Sequence, residues 1–523
     1  MKQKQIDLNP EDVKALLERA EKGVLAEGDY AIIKAMVETI SLLSQSIDDK
    51  ATAIKRLLRM LFGASTEKMK DLLKDATGTK KDDDSGVAPA VEAEAKKGHG
   101  RNGSESYTGA PRIKIPHPTM KAGDPCPECP KGKVYPYNPP GVIVRFSGVA
   151  PLSAMVYELE KLRCNLCGVV FTASPPGNTC AEKYDESAAA MIAVLKYGSG
   201  FPFHRIEKLQ QSLGIPLPAS TQWDILENCS KGPYCVWLEL TRNAAQGDIF
   251  YNDDTMMKIL DLVKEKNPAR KGVYTTGILS VTGERKIALF FTGRKHAGEN
   301  LLELLKKRHV YLGPPIQMCD ALSRNIPAGF ETILANCLVH GRRNFVEVIN
   351  HFPDETRYVI TEIAIVYGND EDTRNRNLSP EERLAFHQEK SAPVMERLKE
   401  WLIAQFERKK TEPNSSLGKA VSYMLKHWDA LTLFLRVPGA PLDNNICERA
   451  LKKVILHRKN SLFYKTEFGA LIGDMFMSLI HTCNLGDINP FEYLKALQKH
   501  VQAVLAAPGN WMPWNYQDYL PAP

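Results

Sequence analysis

No run of residues in this chain is apolar for long enough to be read as a bilayer span, and the opening MKQKQIDLNPEDV has no apolar core of the kind a secretion signal needs. Membrane insertion and export are therefore not expected, and a cytoplasmic protein is. Charge of one sign is also in short supply. The 68 Lys and Arg against 62 Asp and Glu leave a formal +6, too little for overall charge to establish nucleic-acid binding, although a local patch still could. The eleven cysteines are an odd number in a chain with no export signal, which favours metal binding over a disulfide framework. Large apolar side chains are almost missing from Asp71 to about Ser106, so this stretch reads as a flexible linker. Its GHGRNG piece is either plain solvated linker or a basic finger toward DNA.

What is present is the composition of an ordinary soluble protein, 43% hydrophobic and 25% charged, and 523 residues suffice for roughly three or four domains. Before the linker, Ile33, Ile40, Ile47, Ile54 and Leu61 recur every seven residues, with Met36, Leu43 and Leu57 at the intervening apolar positions and Lys50 breaking the series. Those are the a and d positions of a coiled coil. Residues 1–70 are accordingly read as a helical oligomerisation region and 71–110 as the linker, the alternative being one amphipathic helix packed on its own protein.

Between Asp124 and Cys180 stand two CxxC pairs, Cys126/Cys129 and Cys164/Cys167, separated by Val- and Tyr-containing stretches that suggest short strands. Each CxxC turn presents two sulfurs on one side, so the four fit one tetrahedral zinc site. A small zinc ribbon over 111–180 is the expectation, against the bland alternative of unrelated buried cysteines. Over 181–240, DESAAAMIAVLKYGSG, FHRIEKLQQSLG and IPLPASTQWDILENC read as helices, the third opening at Ser220 or Thr221. They suit either a DNA-binding helix-turn-helix or a generic helical subdomain.

From Gly247 the pattern changes to strands, DIFYNDD, GVYTTGILSV and KIALFFTG, followed by a helix, GENLLELLKKR, and two further apolar runs, PPIQMCDAL and TILANCLVH. An α/β sheet of mixed direction is expected. The chain is then mostly helical over 345–440. Asp253 ends DIFYND, Asp320 ends IQMCD, and Glu448 lies on a helix beginning near Asp443. Acids at strand ends emerge at a sheet's rim, and a helix packed over that rim can bring a third to the same point. Three converging carboxylates need hard cations between them, and two magnesium ions there suit phosphodiester chemistry. Taken singly, an aspartate at a strand end is ordinary turn chemistry, and Glu448 with Lys452 is an ordinary i,i+4 helix pair.

The stretch DNNICERALKKVILHRKNSLF resembles the third-acid motif of the insertion-sequence-sixty-six transposases, through Asp443, Asn444, Asn445, Glu448, Arg449, Arg458, Lys459, Asn460 and Phe463. NDDT from Asn252 to Thr255 resembles that family's first-acid motif, QMCD the strand of the second acid, and CLVHGRRNF from Cys337 to Phe345 the block that follows. LFGASTEKM, the paired CxxC knuckles, FPFHRIEKLQQSLGIPL and SLIHTCNLGDINPFEYLKAL extend the likeness over most of the chain. There are departures: Asp254 stands where the family has glutamate, so either adjacent acid suits as metal ligand, with Asp253 chosen by the motif. Ala321 and Leu322 replace Gly-Tyr after Asp320, and Cys447 replaces alanine.

The resemblance implies a multidomain α+β transposase. Its RNase H-like catalytic domain would cover 241–480, with a helical insertion at about 345–440 and a C-terminal helical tail over 481–523. It implies an Asp253, Asp320, Glu448 triad holding two Mg2+ or Mn2+, besides one structural Zn2+. Arg449, Lys452, Arg458 and Lys459 are candidate phosphate contacts, with His340, Arg342 and Arg343 serving the same site. The implied activity is cleavage at the ends of a mobile element and joining of the freed 3′-hydroxyl to target DNA, by a homo-oligomer, with small accessory proteins of the same element as possible partners. The rivals are an RNase H-fold nuclease without strand transfer and a non-catalytic DNA-binding regulator.

Overall fold

The computed structural model describes residues 183–521 except Asn267, together with 121–125, Lys133, Tyr135, 151–154, Val156, 160–163 and 170–172, all within the unit Asp83–Pro523. The heptad seam, the linker and the cysteines Cys126, Cys129, Cys164 and Cys167 lie outside the described residues. Two short strands, β1 (Lys161–Arg163) and β2 (Val170–Thr172), pair antiparallel from Arg163↔Val170 outward.

Among the described residues, four α-helices precede the main sheet. Asp185 caps α1 (Glu186–Ala193) by accepting the Ala188 N–H, and α1 runs into a π-helical turn, Val194–Gly198. Then come α2 (Phe203–Ser212), α3 (Ala219–Asn228) and α4 (Lys231–Ala244). The third opens directly after Pro218, slightly earlier than Ser220, because proline suits the entry to a helix. These helices do not keep a core to themselves. Ile192, Leu226, Trp237 and Leu240 join one apolar cluster with Ile278, Leu289 and Phe290 of the sheet.

The sheet has five strands in the order β5-β4-β3-β6-β7. They are β3 (Ile249–Met256), β4 (Tyr274–Thr282), β5 (Arg285–Gly293), β6 (Ile316–Cys319) and β7 (Ile333–Asn336). β3, β4 and β5 are antiparallel neighbours, whereas β3, β6 and β7 run parallel. The mixed direction expected from the sequence is therefore present. β4 and β6 are buried almost without alternation, which is what strands covered on both faces require. Helix α5 (Ala297–Leu305) connects the two halves, its first turn closed by the His296 N–H donating to Glu299 Oε2 at 2.9 Å.

Between β7 and the next acid-bearing element lie α6 (Leu338–Val346), α7 (Pro353–Asn375), α8 (Pro380–Lys390), α9 (Ala392–Glu407) and α10 (Ser416–Lys426). The apolar faces of α6, α7, α9 and α10 form a second core, shared with Met318 of β6 and Ala335 of β7. Asp370 of α7 draws in Arg374, Arg383 and His387, and Arg383 also reaches the Ala440 carbonyl, so a buried ionic cluster ties this helical block to the chain entering the next helix.

That helix, α11 (Asn445–Ser461), buries Cys447, Ala450, Leu451 and Val454, an i, i+3, i+4, i+7 stripe. After it come α12 (Glu467–Leu485) and α13 (Pro490–Lys499). β5 is an edge strand, and α12 covers the edge. Asp474 accepts the Thr292 N–H, Ser478 Oγ the Phe290 N–H and Thr482 Oγ1 the Ala288 N–H, at 2.6, 3.0 and 3.1 Å. Four residues of helix rise about 6 Å and two of strand about 6.7 Å, so side chains spaced i, i+4, i+8 match alternate strand amides. These bonds satisfy donors that would otherwise invite another strand. By length and composition α12 is apolar enough to cross a membrane, which the sequence reading did not anticipate. Its apolar window is 67% buried inside the protein, as a core helix requires.

Candidate active site

Asp253 is the fifth residue of β3 rather than its last, as the run DIFYND suggested. The strand continues because β4 pairs with it along its whole length, through Asp253↔Gly277 to Met256↔Tyr274. On the other side β6 stops at Cys319, so Asp253 stands at a rim only toward β6. Carrying the parallel register Tyr251↔Met318 forward by two residues sets Asp253 beside Asp320, on chains about 4.8 Å apart. Asn325 links the two. Its Nδ2 donates to Asp320 Oδ1 at 2.5 Å and reaches Asp253 Oδ1 at 3.4 Å. Burial pushes the Asp253 carboxyl up to about 7, helped by the charges of Asp320 and Asp254 and opposed by the Asp254 N–H at 2.8 Å.

Asp254 faces the opposite side of the sheet, as alternation demands. Its carboxylate sits 2.9 Å from His296 Nδ1 and 3.4 Å from the Arg324 guanidinium, with its side chain 2% exposed. Asp254 is therefore already neutralised by bases. Among the described residues, neither Asp253 nor Asp320 has an ion-pair partner.

The short turn Ser323–Asn325 that supplies both Arg324 and Asn325 is held from below. The Asn325 carbonyl accepts from Asn252 Nδ2 and from Gln317 Nε2, each at 2.7 Å. Gly298, at the start of α5, lies so close that a Cβ there would meet the Ile326 carbonyl oxygen at 2.4 Å.

Glu448 arrives on α11 through a joint at its N-terminus. The Leu338 N–H donates to the Leu442 carbonyl, the Asn444 N–H to Cys337 Sγ at 3.3 Å, and Asn444 Nδ2 to the Asn252 carbonyl at 3.2 Å. Asp443 Oδ1 accepts the Asn445 N–H. Beyond the joint, the Cys447 thiol donates to the Gly277 carbonyl, and Leu451 lies 3.0 Å from where a Gly277 Cβ would be. The helix thus rests on the strand position paired with Asp253.

Glu448 Oε1 is buried with no hydrogen bond, 4.0 Å from His340 Nδ1, which also lacks one. The donor atoms of Cys337, His340 and Glu448 all lie within 4.8 Å of one another. Burial holds His340 below its ordinary range, although Glu448 and Asp320 pull the other way. The imidazole therefore stands in the field of both acids. Burial raises the Cys337 thiol to about 12 against two backbone N–H donors, Asn444 and His340.

Residues 182–471, more than half of the chain, match the family model Transposase IS66 family. The chain belongs to that family. It is similar to three proteins of Sinorhizobium fredii. The uncharacterized protein y4jD is 33% identical over 188 residues, 35% of this chain and 36% of that protein. The uncharacterized protein y4hP is 28% identical over 64% of this chain and 63% of its own length, and y4qI is 29% identical over 64% and 62%. This IS66-family chain thus spans between about a third and just under two thirds of those relatives.

The basic residues singled out in the IS66-type motifs fall into different environments. Arg449, Lys452 and Lys459 are exposed on α11, and Arg343 is half-buried with its charge acting on His340. Arg458 donates to Thr255 Oγ1 at 3.1 Å and to the Met256 carbonyl, so it also anchors the end of β3. Arg342 is 7% exposed, and its charge acts on Tyr367 of α7. Glu448 approaches His340 at 4.0 Å, and among the described residues it forms no ion pair with Lys452. Sequence reading missed Asn325, Gln317 and the His296–Asp254–Arg324 group. Little local marks them, since His296 lies 42 positions from Asp254, Gln317 65 from Asn252 and Asn325 72 from Asp253, although Asn325 also bonds Asp320 five positions away.

Proposed function

We propose that this chain is a DNA transposase that cleaves a strand at the ends of a mobile element and transfers the freed 3′-hydroxyl to target DNA, with Asp253, Asp320 and Glu448 as its catalytic acids. The observation that carries this reading is the juxtaposition of Asp253 and Asp320 in register, bridged by Asn325, on the strand over which α11 brings Glu448. The sheet order and direction support an RNase H-like assignment for the catalytic region, with α7 to α10 as its helical insertion.

The residues fit a pair of hard cations. Among the described residues, two carboxyl groups without basic partners stand side by side, one of them pushed up to about 7 by burial and then by the acids beside it, and a third carboxylate oxygen is buried without a hydrogen bond. When bound, two Mg2+ or Mn2+ ions supply the Lewis acidity for in-line phosphoryl transfer. Asn325 orients Asp253 and Asp320 together, while Asn444 and Cys447 fix the approach of Glu448. Asp254, matched by His296 and Arg324, serves the scaffold. Hydrolysis by water breaks the bond between phosphorus and the 3′ oxygen, and the released hydroxyl then attacks a target phosphodiester and displaces the target strand's own 3′ oxygen as a hydroxyl, so no covalent protein–DNA intermediate is needed. Arg449, Lys452, Lys459 and Arg343 grip the backbone, with the outward part of Arg458.

One structural zinc held by Cys126, Cys129, Cys164 and Cys167 belongs to the same reading. The Pro125↔Lys133 bridge brackets the first pair in sequence and the β1–β2 hairpin the second. Self-association through residues 30–62, DNA as substrate, and accessory proteins of the element complete it. The test is cleavage and joining of end-containing DNA in Mg2+ or Mn2+. Products of both steps support the transposase, cleavage alone returns the nuclease, and binding alone returns the regulator.

A further inference from the structure

We propose that Cys337, His340 and Glu448 form a binding site for a thiophilic divalent cation of the zinc class. Three side chains of different chemistry converge here from two helix starts. Cys337 is the residue before α6, His340 lies on its first turn, and Glu448 on the first turn of α11. The bonds from Leu338 to Leu442 and from Asn444 to Cys337 stitch those two starts together, so the convergence is imposed by the backbone and not by a chance of rotamers.

Two further observations point to a ligand. Glu448 Oε1 and His340 Nδ1 are buried polar atoms that face one another without a hydrogen bond to anything, a costly arrangement unless something completes it. The Cys337 sulfur, meanwhile, already accepts the N–H of Asn444 and a backbone bond from His340, at the amino end of a helix. Those amides offset part of the burial that raises the thiol, so a cation bound against the sulfur has less to do to hold the thiolate, the form that binds metal. Cys447, by contrast, gives its proton to the Gly277 carbonyl.

The donor set selects the ion. A thiolate, an imidazole and one carboxylate suit zinc, cobalt or cadmium, whereas magnesium takes oxygen ligands. Zinc bonds of about 2.0–2.3 Å in a tetrahedron put donors roughly 3.3–3.7 Å apart. The 4.0 Å between His340 and Glu448 therefore has only to close by roughly half an ångström. On binding, the Cys337 thiol releases its proton to solvent, and three protein ligands leave a fourth position for water. An ion here takes Glu448, so zinc should oppose magnesium-dependent strand transfer. That consequence rests on the transposase reading, whereas the binding itself does not.

The test uses the full-length protein retaining the zinc it purifies with. Cobalt(II) titration of the wild type should add a thiolate-to-cobalt charge-transfer band and tetrahedral ligand-field bands. Cys337→Ser should lack the added charge-transfer band, and His340→Gln should bind the added cobalt more than about tenfold more weakly. Because Cys337→Ser is a core substitution, cadmium-113 NMR of the unaltered protein gives a second measure. A resonance upfield of the four-thiolate position, from mixed sulfur, nitrogen and oxygen ligation, supports the site. Identical cobalt uptake and spectra in wild type and Cys337→Ser, or no mixed-ligand cadmium resonance at saturation, overturns it. Failure of the wild type to cleave DNA in magnesium would count against the transposase reading alone.

Discussion

Helices α11 and α12 follow one another in the chain, both lie against the same sheet, and each carries an acid toward it, yet the two acids are treated in opposite ways. Asp474 of α12 accepts both the Thr292 N–H and the Thr292 hydroxyl at 2.6 Å, and Thr292 in turn shares a 2.8 Å bond with Thr275. Glu448 of α11 keeps a buried oxygen with no hydrogen bond. The difference separates a carboxyl that closes a sheet edge from one whose buried oxygen the protein leaves unbonded. Burial alone does not mark a functional acid: Asp474 and Asp253 are both raised to about 7, but Asp474 is bonded to Thr292 through both oxygens, whereas Asp253 shares Asn325 with a second acid, Asp320.

The largest expected effect breaks the pair apart by activity. Asp253→Asn, Asp320→Asn and Glu448→Gln should each lower cleavage and joining by roughly three orders of magnitude, as when groups that stabilise transition-state charge are lost. Asp474→Asn should leave the rate per folded molecule within a few-fold of wild type. Equal losses in gel assays of all four variants, with matched folded fractions, would erase the distinction between the two helices.

The next effect is on stability and sharpens the role of Asp474. Its carboxyl is raised by burial from 3.8 to about 7. The neutral form is therefore favoured on folding: its stabilising contribution is complete below about pH 4 and is lost as pH rises through about 7. Asp474→Asn can keep both contacts if the Thr292 hydroxyl turns to donate to Thr275. The variant's advantage over wild type should grow from pH 5 to pH 9 by up to roughly 3 kcal/mol, the part of the shift that lies between pH 5 and about 7. Chemical denaturation at the two pH values measures it, and a gain independent of pH would contradict the assignment.

A smaller change tests how closely α11 rests on the sheet. A Cβ at Gly277 would stand 3.0 Å from Leu451 and 3.6 Å from the Cys447 sulfur. Gly277→Ala should cost about 1–3 kcal/mol as overpacking, and Leu451→Ala in the same chain should recover part of it. The smallest effects are electrostatic. Lys452→Ala and Lys459→Ala should each reduce the log–log salt slope of DNA binding by about one. Arg342→Ala, at a buried position, should instead lower the melting temperature and leave the slope unchanged.

Much of the fold was legible because its signals are local. The apolar runs around Phe250, Ile278, Leu289 and Met318 announce strands, and the stripe from Cys447 to Val454 announces a helix, since periodicity depends only on neighbours along the chain. Where local signals mislead, the cause is a partner. DIFYND looks like a strand end, but pairing with β4 carries the strand on to Met256. The apolar stretch of α12 looks long enough for a membrane, but Asp474, Ser478 and Thr482 are spaced for the amides of β5.

The same division holds at the site. The sequence by itself determined which acids and bases are available and on which kind of element each sits. It also placed two aspartates next to each other, with only the motif resemblance to choose between them. Only the tertiary structure separated Asp253 from Asp254, turned Arg342 inward, tied Arg458 to the end of β3 and brought Cys337 and His340 against Glu448. Those outcomes depend on strand register and on which helix covers which face, and both are settled by contacts between residues tens to hundreds of positions apart. No local pattern encodes them, because a one-residue slip in register would exchange the two faces while leaving every periodicity in the sequence intact.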